Sequence, residues 1–177
     1  IFDLVILALL AGLGIAARQV LVPLGRIITG PLFIPGGAVF GGIFMMWLVL
    51  GADIVKKHGS ATIVALVQAI MTVSLGVIGT HGLLTFATFL PPGIAIDTIF
   101  FIFKKKNVEA YFFAGMFANI AGAFMVNLVF FRLPLIPLAV MLSGAAISGG
   151  IGGLIAYSII KQFKVKNILN KDTVELK

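Results

Sequence analysis

From Asn107 to Ile160 the chain carries two charged residues, Glu109 and Arg132. An uncharged stretch of that length needs a lipid solvent or a core far larger than this chain can build. The same pattern recurs from end to end. Apolar runs fall at about 1–21, 34–54, 60–78, 82–103, 108–131 and 134–161, each near the roughly 20 residues a helix needs to cross hydrocarbon. Hydrophobic residues make up 60% of the 177 positions and charged ones 11%, with mean hydropathy +1.18. A water-soluble domain would have to display much of that surface. The sequence therefore predicts one domain over 1–177, an all-α integral membrane protein built as a bundle of six transmembrane helices. Residues 1–17 resemble the apolar core of a secretory signal, but Asp3 stands where a signal prefers a cation, which reads as a retained first helix.

The connections are short: "KKHGS", "GVIGTHG", "KKKN" and "RLP". Ten lysines, at 56, 57, 104, 105, 106, 161, 164, 166, 171 and 177, fall in the 2–3 loop, the 4–5 loop and the tail. In a six-span chain these lie on one side, while Arg18, Arg26 and Arg132 lie toward the other. That asymmetry predicts a cytoplasmic lysine side and cytoplasmic termini. The net charge of +7 then reads as a topology and lipid-headgroup signal, with no solvated basic domain left for nucleic acid.

One segment resists the pattern. "GRIITGPLFIPGGAVFGG", residues 25–42, is apolar yet holds six glycines and two prolines. Such a segment is a poor continuous helix and too apolar for a wet loop. It reads as an external helix 1–2 loop acting as a lid over a cavity, or as a re-entrant turn with no ligand, since irregular backbone at that depth must pack on protein or line a cavity.

Polar residues within the spans mark candidate contacts, because they are costly in hydrocarbon and tend to face a bundle interior. Gln68 lies mid-helix 3, with Thr72 one turn on. Asn119 and Asn127 share a helix 5 face with Ala123 between them, which predicts a small notch lined by amides. His81 opens helix 4, "LPPG" is expected to break it at Pro91 and Pro92, and Asp97 follows near the inner side. Each has a structural alternative: interhelical glue for Gln68, Asn119 and Asn127, an interfacial cap for His81, a lysine partner for Asp97. Trp47 is either packing bulk or a cavity wall. Small residues at Ala8, Gly12 and Ala16, and again in "SGAAISGGIGG" at 143–153, allow close helix approach, and one such face is left over for docking.

Several chemistries find no foothold. There is no GxxxxGK[ST] loop, no GxSxG elbow, no cysteine and no HExxH pair, so the reading is a non-enzyme without cofactor or bound metal.

The size, the six spans, the folded 1–2 segment and "ALLAGLGIAAR" resemble the S components of energy-coupling factor (ECF) transporters. The run "PGGAVFGGIFMMWLVLGADIVKKHGSATIVALVQAIMTVSLG", with "PPGIAID" after it, is similar to the hydroxymethylpyrimidine/thiamine-type members. The resemblance implies capture of a vitamin or vitamin precursor from outside, a lid formed by the 1–2 segment, and delivery with a transmembrane coupling protein and two cytoplasmic ATPases. It implies docking through Ala8, Gly12 and Ala16. The candidate ligand contacts are then Arg26, Phe33, Gln68, His81, Asn119 and Asn127, with Asp97 beside them. The chain departs from thiamine-type pockets in having one Trp and two Tyr, and no histidine-bearing amino-terminal segment of the nickel and cobalt kind is seen. A stand-alone secondary carrier or channel for a small polar solute is the rival reading.

Overall fold

A computed structural model of the protein describes residues 1–29, 36–76, 82–103 and 107–175, with only the backbone described for 26, 28, 29, 36–38 and 165–175. It is all-helical among these residues: α1 Phe2–Thr29, α2 Gly36–Val55, α3 Ser60–Ser74, α4 Leu84–Ile102, α5 Val108–Val126 and α6 Leu135–Glu175. A π turn, Asn127–Phe131, closes α5.

Four helical stretches are long and apolar enough to cross a membrane: Phe2–Gly25, Leu84–Ile102, Val108–Phe131 and Leu135–Lys164. The protein is thus a multi-pass membrane protein. α2 adds 20 residues over Gly36–Val55, close to the expected 34–54, whereas α3 stops at Ser74 rather than near 78. At 1.5 Å per residue the 15 residues of α3 reach about 22 Å, less than the roughly 30 Å of a bilayer core. Leu75 and Gly76 end it in a turn, with Gly76 at φ +59°.

Two expectations about broken helices are corrected. α1 continues through Pro23 and Gly25 to Thr29, so the first five residues of the supposed lid are helical. Proline forfeits one hydrogen bond within a helix but does not have to end it. α1 is described as far as Thr29, and residues 30–35, which include Phe33, lie outside the described residues. α4 likewise runs unbroken through Pro91 and Pro92. Pro92 is buried there, and Gly122 of α5 leaves room for its ring.

Close backbone approach seats α6 against α5 and α2. A side chain at Gly149 would strike the Gly115 carbonyl of α5, and one at Gly152 would strike the Gly42 carbonyl of α2. Ser148 reinforces that seam: its hydroxyl accepts from the Gly42 N–H at 3.0 Å and donates to the Val39 carbonyl. The small residues of "SGAAISGGIGG" are therefore used inside the molecule. On α1, Ala8 and Ala16 face outward and Gly12 is half-buried beside Met71, while Leu7, Ala11 and Ile15 pack inward.

One end of the bundle collects the lysines and several acids. Lys57 pairs with Asp3 at 2.6 Å, and Lys164 reaches the buried Asp53 at 3.3 Å. Asp97 of α4 caps the start of α3, accepting from the Ala61 N–H at 3.2 Å, the Thr62 N–H at 2.9 Å and the Thr62 hydroxyl at 2.6 Å. Tyr111 packs edge-on against Phe100 and Tyr157 in the main apolar core near this end. α6 carries on beyond it. Its 41 residues span about 60 Å, twice the hydrocarbon thickness.

Candidate functional site

The opposite half of the bundle holds polar groups that the fold buries without satisfying. Gly14 of α1 is the pivot. A side chain there would collide with the Gln68 amide nitrogen and come within 3.4 Å of the Trp47 ring, so the bare backbone lets α3 and α2 close on α1. Gln68 is 5% exposed, and its amide nitrogen has no hydrogen-bond partner. The Trp47 indole N–H and the Thr72 hydroxyl, buried within a turn or so of the same level, also lack partners. An unmatched buried polar group costs about 1–3 kcal/mol. Three in one region mark a site rather than a finished core.

One helical turn above Gly14 stands Arg18. Its guanidinium lies 4.5 Å from the Phe89 ring of α4 and 5.6 Å from the Phe44 ring of α2. Both rings are under a tenth exposed, so the cation is wedged into the bundle rather than turned toward lipid. Each such contact is worth up to about 2 kcal/mol when desolvated. Taking the cation out of water costs several kcal/mol, so the rings offset only part of the penalty. No carboxylate among the described residues pairs with Arg18. Thr85 and Thr88, both buried on α4, extend the polar lining, with the Thr88 hydroxyl donating to the Thr85 carbonyl at 3.0 Å.

The combination is an apolar frame of Phe44, Phe89, Ile15 and Ala69, studded with hydrogen-bonding groups from four helices. That composition suits a small organic molecule with polar edges.

The sequence matches the family described as "ABC-type cobalt transport system, permease component" over residues 2–121. The chain belongs to this family. No curated protein matches it. Among solved structures, one described as "Crystal structure of an S-component of ECF transporter" is similar at TM-score 0.78 and 20% identity, covering 97% of this chain and 88% of the other. This chain therefore has the S-component fold.

Within this fold the expected contacts separate. Gln68 enters the site. The side chain of Arg26, and Phe33 and His81 entirely, lie outside the described residues. Asn119 is buried on the α5–α6 seam, where its amide donates to the Ala145 carbonyl at 2.9 Å and its side chain fills the space above Gly41. The Asn127 side-chain amide oxygen Oδ1 accepts from the Leu133 N–H at 2.9 Å and so organises the π turn before α6. The notch expected between these two asparagines is filled, because Ala123 packs against Met141 and Ala145. Asp97 has its carboxylate on the α3 terminus, while the lysines of the 4–5 loop lie outside the described residues. It borders a different, small cleft of about 60 Å³ at the lysine end, lined by Ala52, Lys56, Lys57, His58 and Phe100.

Arg18 was not among the residues expected to line a site. A sequence signal for it exists: all six acids, at 3, 53, 97, 109, 172 and 175, fall near the lysine-bearing ends of their helices, which leaves this half of the bundle without a negative charge.

Proposed function

We propose that this chain is the substrate-capture subunit of an ECF-type importer in the prokaryotic cell membrane. It binds a vitamin or vitamin precursor at the external side, with a pyrimidine- or thiamine-like compound favoured. It delivers that compound together with a transmembrane coupling protein and two cytoplasmic ATPases. The observation that carries the reading is the buried, unsatisfied polar cluster of Gln68, Trp47 and Thr72 inside an S-component fold. A primary amide is suited to the paired donor and acceptor edge of an aminopyrimidine, and the neighbouring Trp47, Phe44 and Phe89 offer aromatic faces. Arg26, Phe33 and His81 are proposed to complete the pocket from the segments over its mouth. Asn119 and Asn127 act from α5 as shaping residues, and Asp97 as the clamp at the other end. The small face of α1, Ala8, Gly12 and Ala16, is proposed to receive the coupling protein.

The family's description names cobalt, which makes metal-ion capture the second reading. Among the described residues no group of three or more His, Cys, Asp or Glu side chains is placed to hold a metal ion. The cluster at the site consists of an arginine, an amide, an indole and hydroxyls, which favours an organic substrate.

Native mass spectrometry of the protein taken from its own membranes tests the reading. A stoichiometric pyrimidine, thiazole or similar compound is expected. Uptake by vesicles should then require the coupling protein and ATPases. Uptake by vesicles holding this chain alone would favour a stand-alone carrier, and retained cobalt would favour the metal reading.

A further inference from the structure

We propose that Arg18 is the seat of an oxyanion: the captured molecule presents a carboxylate or phosphate to the partly buried guanidinium beside Phe44 and Phe89. This rests on the substrate-capture reading and narrows it to an anionic substrate, setting the cationic thiamine itself aside in favour of an anionic relative such as a pyrimidine phosphate.

Three observations converge on it. The guanidinium is packed against two buried rings on two different helices, at 4.5 and 5.6 Å, and no carboxylate among the described residues neutralises it. The acids of the chain cluster near the far ends of the helices. Asp3, on the same helix, stands 15 residues away, about 22 Å along the axis. The polar atoms left without partners one turn deeper are mostly donors, the Trp47 indole N–H and the Gln68 amide nitrogen, with the Thr72 hydroxyl able to donate as well. A cation and a set of donors facing one region call for an acceptor-rich, negatively charged group. Arginine's planar fork binds carboxylate and phosphate with two parallel hydrogen bonds. A cationic ligand would meet like charge with nothing nearby to offset it.

The same chemistry could come from a soluble substrate or from a lipid headgroup phosphate, and the test separates them. The full chain is purified in dodecyl maltoside, which carries no phosphate. Thermal shift and calorimetry then compare matched pairs: hydroxymethylpyrimidine with its monophosphate, and nicotinamide with nicotinate. Inorganic phosphate is added at constant ionic strength, and thiamine serves as the cationic probe.

At least one anionic member is expected to bind about tenfold or more tightly than its neutral partner. Arg18→Gln should bring that ratio close to one, and Arg18→Lys should keep part of it. The empty Arg18→Gln protein should be as heat-stable as the parent or more so, because an uncompensated, partly buried charge is gone. If the anions show no effect in detergent while native mass spectrometry finds a phospholipid that Arg18→Gln no longer retains, the headgroup is the source of the oxyanion and the substrate assignment is overturned. The proposal as a whole is overturned if no anion stabilises the parent protein and no phospholipid is held through Arg18. It is equally overturned if neutral or cationic probes bind better than their anionic counterparts, or if Arg18→Gln leaves the preference intact. The parent comparison decides even where a variant fails to fold.

Failure of the importer reading looks different. An anion that binds through Arg18 but is never taken up with the ATPase module would sink that reading and leave the site standing. ATP-driven uptake of a neutral compound, untouched by Arg18→Gln, would do the reverse.

Discussion

Gln68 is the residue at which stability and function pull apart. Its amide nitrogen is buried and unmatched, so the empty protein carries a cost that a ligand would relieve. Replacing it with leucine keeps the volume and removes the unmet polar atom. Gln68→Leu is expected to unfold at the same temperature as the parent, or a few degrees higher, and to lose about tenfold or more in affinity for the molecule the parent retains. Thermal unfolding and native mass spectrometry on the same preparation read both quantities. A loss of stability with unchanged retention would mark Gln68 as interhelical glue.

At the scale of elements, the clearest device is the clamp between α4 and α3. Asp97 brings a carboxylate from one helix to two backbone N–H groups and a hydroxyl at the start of another. It thereby satisfies donors that a helix terminus leaves open and sits at the positive end of the α3 dipole. Asp97→Ala is expected to destabilise the fold by about 2–3 kcal/mol, read by denaturant unfolding in mixed micelles. Substrate affinity should stay within about twofold of the parent, because the clamp is at the lysine end and Gln68 is toward the other. A collapse of binding with unchanged stability would give Asp97 the ligand role first considered for it. The α5–α6 seam is the second device. The contact of Gly149 with the Gly115 carbonyl has no room for a side chain, which is why residues that look like a spare docking stripe in the sequence are consumed internally.

For the whole molecule, the outward stripe on α1 makes the sharpest prediction. Ala8 and Ala16 are exposed while their neighbours Leu7, Ala11 and Ile15 are buried, so larger side chains there should leave the bundle intact. The double variant Ala8→Leu, Ala16→Leu is expected to bind its small molecule as the parent does. With the coupling protein and ATPases in vesicles, its uptake should fall by about tenfold or more, as close helix approach is blocked. Parent-like uptake would assign docking to another face.

Much of this architecture is legible in the residue order alone. Hydropathy over windows of span length depends on composition, and composition survives without knowing which residues touch. Helix count, the apolar character of every element and the grouping of the lysines all follow from it, and α2, α4, α5 and the start of α6 lie within a few residues of where the runs put them. What only the tertiary structure decided is which polar groups have partners. Asn119 and Asn127 look like a pair in sequence, yet one meets the Ala145 carbonyl of another helix and the other a π turn's following N–H. The proline signal in "LPPG" failed for the same reason: whether Pro91 and Pro92 break a helix depends on packing that a single segment does not encode. Arg18 looked like one of three cations on the sparsely charged side. Only the rings of Phe44 and Phe89, brought from two other helices, reveal that its charge is held inside the bundle. Partnering is a property of long-range contacts, and those exist only once the helices have packed.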